Sequence, residues 1–343
     1  MGSLSFKNLR NALLGAASFA ALLTAGAYAP AHAETEKTSV AIPAYVVLFL
    51  AEFIAEDQHL WEQQGLDVKV NFIAGVGSMN AVIAGSTDFS LSSGGSLTRA
   101  ASKGQPLLAI ANMGNANGQN IVLRKDIADA AHFDPKASLA ERAKILKGKT
   151  IGIDAVSSVV HSIVRVVAKE GGIDPDSVTV TPMQPADTLS AFARKAIDGF
   201  AGGPPWTQQV ITDGSAVIVA DGTKGEPTQF NPIGSVMLIT RPDFCASHNS
   251  ICVKMGHVMT LAAKFIKDNP NESVSILKKR FQNVDDAVLK ASYEAVRDMT
   301  PMPPVPEALQ LANAENMNVA AGFMKPEEKL KTYDNLFTTQ FAK

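Results

Sequence analysis

Cysteine, aromatic side chains and an excess of either charge are all scarce in this 343-residue chain. Two cysteines cannot build a disulfide-rich scaffold, an iron–sulfur cluster or a multi-cysteine zinc site. Aromatic residues make up only 6% of the sequence, so no surface for stacking sugars or bases is indicated. The formal net charge of −2 argues against a basic field for nucleic acid or an anionic membrane.

Signatures of the common enzyme classes are also missing. The sequence has no Gly-x-Ser-x-Gly elbow and no His-Glu-x-x-His, and no GxGxxG follows a predicted strand. We therefore expect no catalytic residue, cofactor or metal ion. An exported hydrolase or isomerase stays open as an alternative, because a Ser-His-Asp triad can assemble from residues far apart in sequence.

The first 33 residues have the pattern of a secretory signal peptide. Lys7 and Arg10 precede a charge-free apolar run over residues 12–27, and Ala31 and Ala33 supply the small residues read by a signal peptidase. The run is shorter than the ~20 residues that span a bilayer, which argues against an anchoring helix. We expect cleavage after Ala33 and export to the periplasm.

Export changes the interpretation of the two cysteines. Cys245 and Cys252 lie seven positions apart, and a short-loop disulfide is plausible in an oxidising compartment. Two separate thiols are the alternative. His248 lies between them, but two cysteines and one histidine are a poor metal set.

Strand-like and helix-like segments alternate along the rest of the chain, which predicts an α/β fold with parallel βαβ units. The alternation runs from residue 39 to residue 112 and restarts at residue 150, giving two units of about 100 residues each. Segments 120–126 and 235–243 share a strand–basic–Asp pattern and are predicted to be the two crossovers of a hinge. Helices are predicted over residues 272–280, 285–297, 307–321 and 327–341.

Segments 64–68 (QGLDV), 84–89 (AGSTDF) and 146–153 (LKGKTIGI) resemble motifs of the bacterial solute-binding proteins for nitrate, aliphatic sulfonates, taurine and thiamine precursors. The resemblance implies a two-lobed type II periplasmic-binding-protein fold, with a ligand cleft between the lobes and a helical C-terminal segment. Lobe 1 is then expected over residues 34–121 and 241–343, and lobe 2 over residues 122–240.

The resemblance also implies the function of an exported ABC-importer receptor. Its ligand is expected to be a small organic anion, either a sulfonate or a carboxylate. The receptor would deliver this ligand to a membrane permease that works with an ATPase. We expect the receptor to be a monomer. A receptor for a thiamine-precursor-like heterocycle is the alternative. The family often carries an aromatic and an acid where this chain has Gly203 and Pro204, which argues against an amine-bearing ligand such as taurine.

Ligands of open α/β sheets bind beyond the carboxyl ends of strands, where helix N-termini favour anions. Three small-residue loops follow predicted strands in this way, and ordinary helix caps are the competing interpretation. Asn115, with Asn117 and Gln119, follows a lobe-1 strand. Trp206 follows the Gly-Pro loop of lobe 2. Tyr45 lies at a position where the family contacts its ligand. The candidate ligand-binding residues are Tyr45, Gly75, Gly77, Ser78, Ser92, Ser93, Gly94, Asn115, Ser157, Ser158, His161 and Trp206.

Overall fold

A computed structural model describes Met1 and residues 35–342. The predicted signal peptide therefore lies almost wholly outside the described residues. Within residues 35–342, no helix is both long and apolar enough to cross a membrane.

Within residues 35–342, ten strands form two sheets of five strands each. The strands are β1 (Glu36–Ile42), β2 (Leu66–Phe72), β3 (Phe89–Ser92), β4 (Leu108–Gly114), β5 (Asn120–Arg124), β6 (Thr150–Ile153), β7 (Thr179–Pro182), β8 (Gly199–Gly202), β9 (Ala216–Ala220) and β10 (Val236–Thr240). The strand orders are β2-β1-β3-β10-β4 and β7-β6-β8-β5-β9. In each sheet the fourth strand runs antiparallel to both neighbours, so the two sheets share one plan.

Helices connect the strands and dominate the C-terminal third. They are α1 (Leu50–Asp57), α2 (Leu60–Gln63), α3 (Gly77–Ile83), α4 (Gly94–Ser102), α5 (Lys125–Ala130), α6 (Leu139–Ala143), α7 (Val159–Glu170), α8 (Pro185–Ala193), α9 (Trp206–Thr212), α10 (Pro242–Ser247), α11 (Asn249–Asp268), α12 (Pro270–Arg280), α13 (Asp286–Met299) and α14 (Ala308–Ala321). Each sheet has its own buried apolar core, and we call the two bodies lobe 1 and lobe 2. The predicted two-lobed α/β fold is confirmed.

The predicted crossovers are wrong by several residues. Segment 120–126 contains β5, a full member of the lobe-2 sheet, and segment 235–243 contains β10, a full member of the lobe-1 sheet. The predicted lobe-2 range of 122–240 therefore ends one strand too late. The chain instead crosses between the sheets at residues 115–119 and 221–235, where Ile233 N–H donates to the Asn115 carbonyl at 3.0 Å and Gly118 N–H donates to the Gly222 carbonyl at 2.9 Å.

The C-terminal segment also departs from the prediction in two ways. Helix α14 does not belong to lobe 1 alone, because Leu311 joins a lobe-1 core while Met317 joins the core of lobe 2. Beyond it, a helix predicted over 327–341 is replaced by one 3-10 turn at Pro326–Glu328 and irregular chain. That chain runs along the outer edge of β4, where Ala109 N–H donates to the Leu336 carbonyl at 2.8 Å. An edge strand has free backbone groups, and the tail satisfies them.

The two cysteines lie at the junction of α10 and α11. Cys245 and Cys252 form a disulfide with their Cα atoms 5.6 Å apart. Among the described residues, no group of three or more His, Cys, Asp or Glu side chains is arranged to hold a metal ion.

Candidate functional site

A cavity lies between the lobes, at the carboxyl ends of strands from both sheets. Pro43 and Ala44 follow β1, Ser93 follows β3, Asp154 follows β6 and Gly203 follows β8, and all of them line it. The empty space between its lining residues is about 820 Å³, a figure that includes space continuous with solvent. Most of the remaining lining is apolar, including Leu48, Phe49, Met183, Phe200 and Trp206.

The lobe-1 wall is built around the start of α4. Ser93 is the N-cap residue, and its hydroxyl oxygen accepts from the Ser96 N–H at 3.1 Å. Ser92, Ser93 and Ser96 all line the cavity, and no ionisable side chain lines this wall. Gly94 does not line the cavity: its N–H donates to the Gly234 carbonyl at 2.8 Å, and a Cβ there would meet that oxygen at 3.1 Å. The N-terminal end of α4, where the helix dipole is positive, thus borders the cavity together with these three serines, and the Ser93 and Ser96 hydroxyls bond each other at 3.1 Å.

The lobe-2 wall is built around the start of α7, and it carries a carboxylate. Ser158 is the N-cap residue, and its hydroxyl donates to Asp154 Oδ1 at 2.5 Å. The Ala155 N–H donates to the same oxygen at 2.7 Å. Of the residues that the structure describes, only Asp154 is both ionisable and part of the cavity lining. Burial raises its pKa, while the bonds from Ser158 and Ala155 oppose that rise.

This arrangement changes the prediction for the Ser157–Ser158 helix start. The Ser158 hydroxyl already donates its hydrogen to Asp154 Oδ1, so that hydrogen is not free for a ligand anion. No role was predicted for Asp154 from the sequence, although its position directly after β6 was the available signal.

Contacts between the lobes close the cavity mouth. The Val47 N–H donates to the Pro204 carbonyl at 2.8 Å, and Trp206 Nε1 donates to the Tyr45 carbonyl at 3.0 Å. The Trp206 ring also meets Phe281 of lobe 1 edge-on, with ring centroids 5.9 Å apart. Gly75 approaches lobe 2 so closely that a Cβ there would be 2.8 Å from the Ala155 methyl carbon. The structure is therefore a closed form.

Five of the twelve predicted residues line the cavity, namely Gly75, Ser92, Ser93, Ser158 and Trp206. Gln119 also lines it, next to the crossover. Ser96 and Asp154 line it and were not predicted as contacts. Their role toward a ligand stays a proposal.

Several predicted residues have structural roles instead. The Tyr45 ring packs on Phe53 and Phe281, so only its carbonyl contributes at the mouth. Ser78 is buried and its hydroxyl donates to the Gly75 carbonyl at 3.1 Å, which stabilises the turn. Gly77 lies at the start of α3, where a Cβ would meet Ile73 at 3.2 Å.

Asn115, Ser157 and His161 also point away from the cavity. Asn115 Oδ1 accepts from Asn112 and from Gln310 of α14, which fastens the crossover. Ser157 has a φ of 61°, and its N–H donates to His161 Nδ1 at 3.1 Å. The buried His161 ring lies against Phe323, and burial, with nearby Arg165, lowers its pKa. The His161 ring braces α7 against the segment after α14.

Two lobes of this topology around one cleft define the periplasmic-binding-protein fold, and solved structures share it. A protein from Bordetella bronchiseptica RB50 is 20% identical, with a TM-score of 0.76 over 89% of this chain and 95% of the other. The alkanesulfonate-binding protein SsuA from Xanthomonas axonopodis pv. citri, bound to MOPS, is 19% identical, with a TM-score of 0.69 over 89% of this chain and 100% of the other.

The sequence comparisons give the family. Residues 33–279 match the NMT1-like family, and the chain belongs to it. A Brucella abortus (strain 2308) protein named as a candidate binding protein is 28% identical over 254 residues, which cover 72% of each chain.

Proposed function

We propose that this chain is the solute-binding receptor of an ABC importer, exported to the periplasm and monomeric. One observation carries the proposal: a small, mostly apolar cavity lined by strand ends of both lobes and closed by contacts between them. The family and the fold neighbours support it. The mechanism needs no covalent step, because capture and hinge closure present a closed surface to a membrane permease and its ATPase.

The ligand is a small organic solute with an anionic group, and that group binds at the start of α4. Ser92, Ser93 and Ser96 offer hydroxyls there, beside the positive end of the helix dipole and away from any acidic side chain on that wall. The fold neighbour from Xanthomonas is named for alkanesulfonates, whose sulfonate group is anionic like the group proposed here. The start of α7 is less favourable for the anion, because the Ser158 hydroxyl already bonds Asp154 there.

A heterocyclic ligand of the thiamine-precursor kind is the second candidate. The single carboxylate on the lobe-2 wall favours it, because ring N–H groups can donate to Asp154. An enzyme on this scaffold would turn over its bound compound. A stable ligand recovered unchanged after long incubation speaks for a receptor.

Small-angle scattering tests closure around a ligand. The protein is unfolded in denaturant, dialysed free of small molecules, refolded, and measured with and without the compound extracted from the original preparation. We expect a smaller radius of gyration with the compound, because the lobes rotate about residues 115–119 and 221–235. An equal radius in both samples would contradict the hinge mechanism.

A further inference from the structure

Only one of the two carboxyl oxygens of Asp154 has a hydrogen-bond partner among the described residues. Its Oδ1 atom accepts from both the Ala155 N–H and the Ser158 hydroxyl. Within residues 35–342, no donor bonds its Oδ2 atom, although the side chain lines the cavity and is only partly exposed to solvent. A carboxylate oxygen that is buried without a hydrogen-bond donor costs free energy. In the open form water bonds this oxygen, and ligand binding displaces that water.

Among the described residues, no lysine, arginine or histidine lines the cavity, so no cation is available to this oxygen. The residues that complete the lobe-2 wall include Val159, Val160 and Met183. The bonded partners of Oδ1 hold the carboxyl group in place, since both belong to the turn that begins α7. A fixed acceptor on the wall of a mostly apolar cleft can determine specificity, because only a ligand with a matching donor offsets its desolvation.

We propose that Asp154 determines the specificity of this receptor by requiring a nitrogen donor on the ligand, an ammonium group or a heterocyclic N–H, that bonds its Oδ2 atom. The inference rests on the proposed receptor function and deepens it. Together with the anion position at α4, it describes a solute that carries an acidic group at one end and a nitrogen donor at the other. Alkanesulfonates and simple carboxylates without a donor are rejected.

This inference reverses an expectation from the sequence. Gly203 and Pro204 remove the acid from its usual loop, which argued against an amine-bearing ligand. Asp154 restores a carboxylate to the same cavity from the end of β6 instead of the end of β8.

The substitution Asp154→Asn isolates the proposed role. Asparagine keeps one oxygen for the Ala155 N–H and the Ser158 hydroxyl, so the turn is retained, and it replaces Oδ2 by a donor amide. Asp174→Asn is the matched control. Asp174 lies in the same lobe, is exposed, and caps the turn Pro175–Ser177 through an oxygen that asparagine also supplies.

Thermal-shift screening of the full chain, followed by calorimetry, provides the test. The library pairs each compound that carries an N–H group with a partner of similar size that has a methyl group instead, such as 2-aminoethanesulfonate with 1-propanesulfonate. We expect the binders to come from the N–H side of the pairs. Asp154→Asn should weaken each of them ~10- to 100-fold, as for loss of a hydrogen bond to a charged group, while Asp174→Asn leaves the affinity unchanged.

Equal binding of both partners of a pair, or equal affinity in Asp154→Asn, would overturn the inference and leave the receptor function intact. A purely structural role for Asp154 would lower the melting temperature without changing the preference within a pair. Absence of any binder in the library, with no small molecule retained by the purified protein, would contradict the receptor function itself.

Discussion

Trp206 Nε1 of lobe 2 donates a hydrogen bond to the main-chain carbonyl of Tyr45 in lobe 1, at 3.0 Å across the mouth of the cavity. The indole ring of Trp206 also lines that cavity and packs on Phe281. One side chain therefore lines the cavity and links the lobes, so we expect it to couple ligand capture to closure.

Trp206→Phe should weaken ligand binding by about 2- to 10-fold, because it removes one neutral hydrogen bond of the closed form and keeps most of the ring contact. Calorimetry with the extracted compound measures the change. Scattering should show that the ligand-free variant is as open as the ligand-free wild type. An affinity equal to the wild type would show that the Trp206–Tyr45 bond does not contribute to closure.

Ser93→Ala should lower both stability and affinity. Ser93 caps α4 and lines the cavity, so its loss should cost about 1 kcal/mol of unfolding free energy and also remove a ligand contact.

Ser138→Ala is the control for this effect. Ser138 caps α6 by accepting from the Glu141 N–H, and it does not line the cavity. Urea unfolding should give similar losses of stability for the two variants, while calorimetry gives weaker binding for Ser93→Ala alone. Equal affinity in both variants would argue against a ligand group at the start of α4.

Glu52 makes the stability of lobe 1 depend on pH. It is buried, its carboxyl oxygens have no hydrogen-bond partner among the described residues, and burial with repulsion from Glu56 raises its pKa to about 8, with Arg280 partly offsetting. The folded state therefore holds a proton that the unfolded state releases above its usual pKa of 4.5. Below that value the contribution of Glu52 to the free energy of unfolding is complete. Above it, the free energy of unfolding should fall by about 1.4 kcal/mol per pH unit until the pH reaches the pKa of the folded state.

Glu52→Gln should remove this slope. Urea unfolding of the wild type and the variant between pH 5 and 8 would show a difference that grows with pH in favour of the variant. Glu62→Gln, whose carboxylate is exposed, should keep the wild-type slope. Parallel pH curves for wild type and Glu52→Gln would contradict the protonated state of Glu52.

The disulfide between Cys245 and Cys252 should contribute stability without affecting the ligand. It closes a loop with a sequence separation of 7, for which chain entropy gives about 2.5 kcal/mol. Neither cysteine lines the cavity. The double substitution to alanine should lower the urea midpoint and leave the affinity unchanged; a change in affinity would indicate coupling between α11 and the cleft.

Local patterns in the sequence predicted the α/β alternation and the two lobes, because strand and helix periodicities are properties of short segments. They did not predict which sheet β10 joins, since pairing with β3 and β4 depends on contacts with residues more than a hundred positions away. The tail at 336–338 is an extended segment for the same reason: the open edge of β4 outweighs its helical pattern.

The site was predictable to the level of its loops. Strand ends identified Ser92, Ser93 and Ser158, which all line the cavity. Side-chain direction was not predictable: the left-handed backbone at Ser157 turns its N–H toward His161, whose ring packs on Phe323 and not toward the cleft. The lack of a donor to Asp154 Oδ2 was not predictable either, because it depends on the positions of all surrounding donor groups.

Native mass spectrometry of the wild type and Gly202→Leu tests the central claim, that one solute binds between the lobes. Gly202 lines the cavity. A Cβ atom added at this position would have no neighbouring atom within 4 Å, so we expect leucine to be accommodated and to fill space that the ligand needs. Ala131→Leu, exposed in the same lobe, is the control. We expect one small molecule per chain on the wild type and on Ala131→Leu, and none on Gly202→Leu. The same bound mass at equal occupancy on Gly202→Leu would contradict the account.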